Sequence, residues 1–268
     1  LDLHNIESVL HAACSTSEPW PQKVGHRFFE RTARRMEGEI LADFDLVLVA
    51  SERDRGRVLE IAPAAHVAVY PNSIPWTLQP RMEEEDAIAF SGNMEYHPNV
   101  TAVRHFRRRV WPLIESKAPS LRWRLIGRNK STILRYAAGD PRIEVSGPVA
   151  DAVEELARAK VVVVPLLAGS GTRVKILEAW AAGRAVVSTA IGADGLAVRN
   201  GENIRIADGP REMAEAVLEL LRDEVSRKRL GEQGRKTYEA EFSWPAAWKT
   251  MEPHFDELMS RERILAAI

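Results

Sequence analysis

The stretch VVVVPLLAGSGTRVKILEAWAAG, residues Val161–Gly183, carries the clearest fold signal in the chain. Its four consecutive valines indicate a strand buried on both faces, as at the centre of a parallel sheet. Gly169 and Gly171 then mark a turn, and the residues after them fit a helix over Thr172–Ala182. Val174, Leu177 and Ala181 share one face of that helix, which we expect to pack on the sheet. The segment therefore predicts one strand–turn–helix unit of a parallel α/β sheet.

The start of this helix carries the wrong charge for its position. Arg173 and Lys175 fall in its first turn, and no acid precedes Glu178. Free N–H groups and the helix dipole favour anions there, so each cation is expected to cost about 0.3–1 kcal/mol. A bound phosphate would reverse that cost, because the amides of Gly169, Ser170, Gly171 and Thr172 and both cations could contact it. We therefore expect a phosphate site at this turn.

The same alternation of strand and helix continues on both sides of the segment. It predicts an α/β fold with a parallel sheet covered by helices on both faces. The expected strands are Ala87–Gly92, Leu121–Gly127, Ile143–Val149, Val161–Pro165, Ala185–Thr189 and Asn203–Ala207. The expected helices are Asn99–Pro112, Ser131–Ala138, Asp151–Ala159, Thr172–Ala182, Pro210–Leu221 and Ser226–Glu241. Asp151 is expected to cap its helix.

A smaller set of elements precedes this block. We expect strands at Leu1–Leu3, Phe44–Ser51 and His66–Asn72, a helix over 24–41 after a proline-containing loop, and a helix capped by Ser51. The prolines and acids after residue 75 indicate a boundary. The predicted organisation is a first domain over 1–75, a linker over 76–86, a second domain over 87–242, and a closing helix over 243–268.

Glycine-rich loops follow several strands of the second domain. In an open parallel sheet, ligands bind at the carboxyl ends of the strands, and glycine lets backbone amides approach them closely. The candidates here are Gly92, Asn93, Gly127 and Val149, together with the turn at Gly169–Thr172. Glu178, one helical turn after Lys175, could accept hydrogen bonds from the two hydroxyls of a ribose. The spacing fits a nucleoside diphosphate.

Composition narrows the class of protein further. The 268 residues carry a net charge of −1, which gives no electrostatic case for a nucleic-acid partner. The single cysteine, Cys14, suits a reducing compartment. No apolar run approaches the length of about 20 residues that a membrane span needs. We expect a cytoplasmic protein, with peripheral contact to the inner face of a membrane as an open alternative.

These residues together resemble the donor-binding half of GT-B glycosyltransferases, specifically the retaining group called family 4. The resemblance covers nearly the whole chain and is most specific at Lys175–Glu178. PNSIP (71–75) resembles the interdomain segment, and VVST with GADGL (186–196) completes the pattern. It implies a complete C-terminal Rossmann-like domain and the remnant of an N-terminal one. Asp2-Leu3-His4-Asn5 resembles a motif midway through that first domain, so the resemblance implies that its front is missing.

The resemblance also implies an activity. Such enzymes transfer a sugar from a nucleoside-diphosphate sugar to an alcohol with retained configuration, as in polysaccharide or glycolipid synthesis. The partners would be a nucleotide-sugar donor and an alcohol, glycan or lipid-linked acceptor. No metal and no cofactor beyond the donor are implied. Glu178 would hold the ribose, Arg173 and Lys175 the diphosphate, and His4 would face the transferred sugar.

Two departures from the family pattern concern the charges around the donor. Ser170 stands where a second glutamate is frequent, eight positions before Glu178. The loop after the first strand of the second domain reads GNMEYHPN, without the Arg and Lys that many members carry there. We interpret Arg173 and Lys175 as replacements for those missing cations.

Several alternatives remain open at the level of sequence. The two cations could be a solvated helix start, with Glu178 simply pairing with Lys175. His4 could be structural, and Arg107–Arg109 could be a solvated helix face or contact a membrane or nucleic acid. A donor-binding module without turnover and a nucleotide-sugar epimerase are rival functions. A dinucleotide dehydrogenase lacks support, because no G-x-G-x-x-G follows a strand.

Overall fold

The computed structural model describes residues 1–3, 5–17, 20–128, 130–169 and 173–266. The described chain divides into two compact units. One contains Leu1–Trp76 and residues 239–266, and the other contains Thr77–Gly169 and Arg173–Tyr238. The predicted parallel α/β architecture is confirmed in both units.

The smaller unit is built on three parallel strands. It contains, in chain order, β1 (Asp2–Leu3), α1 (Glu7–Ser17), α2 (Gln22–Ile40), a 3₁₀ turn (Leu41–Asp43), β2 (Val47–Val49), α3 (Glu52–Ile61) and β3 (Val67–Val69). The strand order is β1-β2-β3, and the valines of β2 lie in the core with Ile6, Leu41 and Val58. Ser51 caps α3 as predicted, because its side chain accepts a hydrogen bond from the Asp54 amide at 3.1 Å.

A terminal helix, Trp244–Ala266, also belongs to this unit. Its Met251 is buried with Leu46 and Ala68. The Trp244 amide donates to the Ile74 carbonyl at 3.0 Å, so the start of the helix is tied to the segment after β3. Helix α1 was not predicted; its place was assigned to a loop. It forms because it packs along α2, where Ser8 hydrogen-bonds to the buried Glu37.

The larger unit holds a six-stranded parallel sheet. Its elements are β4 (Glu85–Ser91), α4 (His97–His105), a π-helical segment (Phe106–Val110), α5 (Trp111–Glu115), β5 (Arg122–Ile126), a 3₁₀ turn (Lys130–Thr132), α6 (Leu134–Ala137), β6 (Ile143–Val145), α7 (Ala152–Leu156), β7 (Ala159–Val164), α8 (Val174–Ala181), β8 (Ala185–Ser188), β9 (Arg205–Ile206), α9 (Pro210–Arg222) and α10 (Glu224–Thr237). A second π-helical segment, Tyr238–Phe242, precedes the terminal helix.

The strand order of this sheet is β6-β5-β4-β7-β8-β9. The chain therefore runs outward from β4 to β6 and then returns to the other side of β4 with β7. Such a reversal creates a crevice at the carboxyl ends of β4 and β7, where ligands of open α/β sheets bind. The four valines of β7 are fully buried, and β7 lies between β4 and β8, which confirms the predicted central strand.

Two sequence expectations for α8 are wrong. The helix begins at Val174, so Arg173 is the residue just before it and only Lys175 lies in its first turn. Val174 was expected to pack on the sheet with Leu177 and Ala181; it is exposed, whereas Leu177 and Ala181 are buried. Trp180 is buried as well and donates to the Asn203 carbonyl at 2.9 Å, so the buried side of the helix extends beyond the expected face.

Candidate functional site

A cleft of about 440 Å³ lies at the carboxyl ends of β4 and β5. Five of the predicted site residues line it, namely Gly92, Asn93, Gly127, Val149 and Glu178. These residues come from three loops and a helix that are far apart in sequence. The parallel sheet brings them together because all of its strands end at one edge.

The floor of the cleft is made of backbone. Gly92 and Gly127 have φ values of 152° and 143°, which strongly disfavour side chains. A Cβ atom on Gly127 would lie 1.9 Å from the Gly92 carbonyl oxygen, so the two loops touch through their main chains. The Gly92 amide donates to the Ile126 carbonyl at 3.0 Å, and the Met94 amide donates to the Arg128 carbonyl at 3.0 Å. Backbone conformation and close packing therefore require glycine at both positions.

Glu178 contributes the carboxylate of the cleft. It lies on α8, and its Oε2 accepts a hydrogen bond from Ser91 Oγ at 3.3 Å. Burial raises the pKa of Glu178, while the nearby Lys175 and the Ser91 hydrogen bond oppose that shift. The carboxylate is half-buried and keeps accepting capacity that Ser91 does not use, so it can bind vicinal hydroxyls.

Lys175 lies beside the cleft, against the loop after β4. Its Nζ donates to Asn99 Oδ1 at 2.8 Å and lies 5.1 Å from the centre of the Phe90 ring. Asn99 is itself buried, and its Nδ2 donates to the Asn93 carbonyl at 2.8 Å. Burial, and next the positive charge of Arg173, lower the pKa of Lys175 to about 8. The ammonium is thus still mostly protonated at neutral pH.

Arg173 is also buried, with 6% of its surface exposed. Its Nη2 donates to the Ile191 carbonyl at 3.4 Å, in the loop after β8. Gly169 packs closely against it, since a Cβ atom there would lie 2.9 Å from the guanidinium group. Neither Arg173 nor Lys175 lines the cleft, although Lys175 lies close to its floor, since a Cβ atom on Gly92 would be 3.4 Å from Lys175 Nζ.

Arg173 precedes α8 and Lys175 lies in its first turn, which contains no acid. The two cations thus lie near one another at the amino end of the helix, where the backbone already contributes positive partial charge. Their mutual repulsion is part of what lowers the pKa of Lys175. Such an arrangement is typical of a site that binds an anion.

The remaining predicted site residues, His4, Ser170, Gly171 and Thr172, lie outside the described residues. Sequence reasoning missed Asn99 and did not select Ser91 as a site residue. Asn99 was assigned to a helix without a role, and only its position directly after Pro98 marks it as part of a helix start. Nothing in the local sequence indicates that it meets Lys175, which lies 76 positions away.

Within the described residues, no group of three or more histidine, cysteine, aspartate or glutamate side chains could hold a metal ion. None of the described helices combines the length and apolar character needed to cross a bilayer.

Several solved structures have a similar fold. S. aureus TarM superposes with a TM-score of 0.71 at 15% identity, over 84% of this chain and 46% of TarM. Sucrose-phosphate synthase from Thermosynechococcus elongatus gives 0.76 at 18% identity, over 97% of this chain and 67% of the synthase. Anabaena HepE gives 0.72 at 15% identity, over 97% of this chain and 70% of HepE. The fold is that of GT-B glycosyltransferases.

The family follows from the sequence of the larger unit. Residues 85–223 match the family described as Glycosyl transferases group 1, which is slightly more than half of the chain. The chain belongs to this family. No curated protein sequence matches it significantly. The chain spans less than half the length of TarM, the first of these similar structures.

Proposed function

We propose that this protein binds a nucleoside-diphosphate sugar and transfers the sugar to an alcohol acceptor. The family supports glycosyl transfer in general. The structures of TarM and HepE contain UDP, and that of HepE also contains glucose, so nucleotide-sugar chemistry occurs on this fold. The nucleotide would be the co-substrate, and no separate cofactor is proposed.

One observation carries the proposal. A cleft with a main-chain floor contains the Glu178 carboxylate, and the helix that supplies Glu178 begins beside two buried or half-buried cations. A carboxylate suits the hydroxyls of a ribose, whereas cations and free amides suit phosphates. In our proposal the ribose lies at Glu178, the diphosphate lies toward Lys175 and Arg173, and the base lies near Val149.

The chemistry required of these residues is charge stabilisation. The bond between the anomeric carbon and the diphosphate oxygen breaks, the acceptor oxygen forms the new bond to that carbon, and the acceptor's proton passes to the departing diphosphate. Negative charge grows on the departing diphosphate, so preorganised amides and cations lower the barrier. Lys175 and Arg173 would supply those charges without a metal ion. We assign no protein nucleophile.

Other parts of the proposal rest on the resemblance to retaining enzymes alone. These are retention at the anomeric carbon, a sugar-facing role for His4, and a place in polysaccharide or glycolipid synthesis. Retention is tested by determining the product's anomeric configuration by NMR spectroscopy.

Calorimetry with UDP and GDP tests the binding site. We expect at least one of them to bind, and Lys175→Met to weaken that binding by about 1.5–3 kcal/mol because a charged contact is lost. Lys160→Met is the matched control, since Lys160 pairs with Asp86 at the opposite end of the strands. If Lys175→Met bound UDP and GDP as tightly as Lys160→Met does, the proposed site would be contradicted.

Incubation with a panel of nucleotide sugars and alcohol acceptors tests the reaction. Glycosylated acceptor is the expected product. Conversion of the donor to an epimer without any acceptor would instead identify an epimerase. Tight UDP binding with neither product nor hydrolysis would identify a binding module.

A further inference from the structure

Tryptophans are concentrated at one place in the smaller unit. The chain has seven of them, and Trp111, Trp123 and Trp180 are fully buried in the larger unit. Three of the other four line a single cleft of about 690 Å³. The lining residues all belong to the smaller unit, and they are Tyr70, Pro75, Trp76, Trp244, Pro245 and Trp248. We refer to this as the aromatic cleft.

The three tryptophan side chains of the aromatic cleft are open to solvent. Trp76, Trp244 and Trp248 are 54%, 58% and 50% exposed. Tryptophan is highly buried on average in folded proteins, so three half-exposed indoles around one concave site are unusual. Exposed aromatic surface of this kind is typical of a binding site.

The backbone around the aromatic cleft is held in place by local contacts. Trp244 begins the terminal helix, and its amide donates to the Ile74 carbonyl at 3.0 Å. The Ile74 amide donates to the Phe242 carbonyl at 3.1 Å, so the segment after β3 is bridged to the start of that helix. The Trp248 ring lies beside Phe255, with 6.2 Å between their centroids. The aromatic cleft is therefore preformed.

The polar side-chain groups of the aromatic cleft are neutral. Each indole carries one N–H donor, and Tyr70 carries a hydroxyl that can donate and accept. Within the part of the chain that the structure describes, none of these four groups makes a hydrogen bond. The six lining residues include no charged side chain. The aromatic cleft thus offers flat apolar faces and unused neutral hydrogen-bonding groups.

This combination matches a neutral sugar better than other ligands. The C–H face of a sugar ring stacks on an indole, and its hydroxyls can accept from indole N–H groups. An acyl chain would leave those donors without partners. A quaternary ammonium group is recognised by an enclosing cage of rings, whereas these rings are half exposed. The family is one of glycosyl transferases, which favours a saccharide over a proline-rich peptide.

We propose that the aromatic cleft binds a neutral oligosaccharide. Trp244 and Trp248 are four residues apart on one helix, so their Cβ atoms lie about 6 Å apart and neighbouring sugar rings can stack on both. Trp76 and Tyr70 would contact the same saccharide from the segment after β3. The aromatic cleft shares no residue with the cleft that contains Glu178, so it is a second carbohydrate site.

Calorimetry and tryptophan fluorescence with neutral hexasaccharides test the proposal on the whole chain. The probes are maltohexaose, cellohexaose and chitohexaose. No nucleotide is present, so the result does not depend on the proposed transferase function. We expect at least one probe to bind and to shift the emission to shorter wavelength, because exposed indoles become covered. Trp248→Ala and Trp76→Ala should each weaken that binding about tenfold or more.

Trp20→Ala is the matched control. Trp20 is 77% exposed in the same unit but lies outside the aromatic cleft, so its loss should leave binding unchanged. Circular dichroism checks folding, and Trp76, which lies outside the helices, keeps the test decisive if Trp248→Ala does not fold.

Three results would overturn the proposal. The first is that none of the three hexasaccharides binds. The second is an equal loss of binding in Trp20→Ala and Trp248→Ala. The third is that choline, decanoate or a decaproline peptide binds more tightly than every hexasaccharide and loses that binding in Trp248→Ala, because the aromatic cleft would then serve another class of ligand.

Discussion

Lys175→Met should stabilise the free protein while weakening its binding of nucleotide. The substitution removes the ammonium group but keeps a side chain of similar length. Burial lowers the pKa of Lys175 from 10.5 to about 8, so the unfolded chain binds this proton more tightly than the folded one. The charged lysine therefore costs stability below about pH 8, and that cost disappears as the pH rises toward about 10.5.

The size of the effect follows from the same shift. A decrease from 10.5 to about 8 corresponds to at most about 3.4 kcal/mol. Lys175 is only half-buried, so solvent screening reduces this figure. Methionine also leaves Asn99 Oδ1 without its donor, which costs about 1 kcal/mol. We expect a net gain of about 1–2 kcal/mol near neutral pH.

Thermal unfolding at about pH 7 and about pH 10 provides the assay, paired with UDP calorimetry. A gain of this size should raise Tm by about 2–6 °C at neutral pH, and the gain should largely vanish at the higher pH. The affinity for UDP should fall by about 1.5–3 kcal/mol. A variant that is less stable at both pH values, or that keeps full UDP affinity, would refute the reasoning.

Three further predictions concern the same cleft. UDP affinity of the wild type should fall as the pH rises through about 8, and Asn99→Asp should move that fall upward because a carboxylate raises the pKa of Lys175; an unchanged midpoint in calorimetry would contradict the contact. Glu178→Gln should abolish the preference for UDP over 2′-deoxy-UDP with little change in the free energy of unfolding; a retained preference would separate Glu178 from the ribose. Gly127→Ala should destabilise the protein by about 3 kcal/mol in urea unfolding, against about 1 kcal/mol for Gly139→Ala, where φ is also positive but no atom lies within 4 Å; equal losses would exclude the clash.

The larger unit was predictable where local sequence and environment agree. A valine run such as that of β7 has few alternatives to a central parallel strand. Asp151 caps α7 as predicted, with its carboxylate accepting from the Val153 amide at 2.7 Å. Caps and buried strands are local signals, so they can be recognised without knowing what packs against them.

Helix α1 shows the opposite case. Its sequence ESVLHAACSTS has weak helix formers at the end and no strong start signal. The helix exists because its buried side meets α2, and tertiary packing of that kind cannot be read from eleven residues.

The sequence predicted individual loops of the candidate site better than the contacts between its side chains. Glycine loops at one sheet edge were expected, and Gly92 and Gly127 do line one cleft. The hydrogen bond between Asn99 and Lys175 was not expected, because it depends on how α4 and α8 are placed across the sheet.

The contact between Gly92 and Gly127 also limits how such a cleft can evolve. Any side chain at Gly127 collides with main chain, so this part of the floor cannot be adjusted by gradual substitution. The wall at Pro148, Val149 and Ala150 carries no such main-chain contact, so it offers a more direct route to variation in what the cleft accepts. A library that seeks altered ligand preference should therefore be concentrated on those three positions.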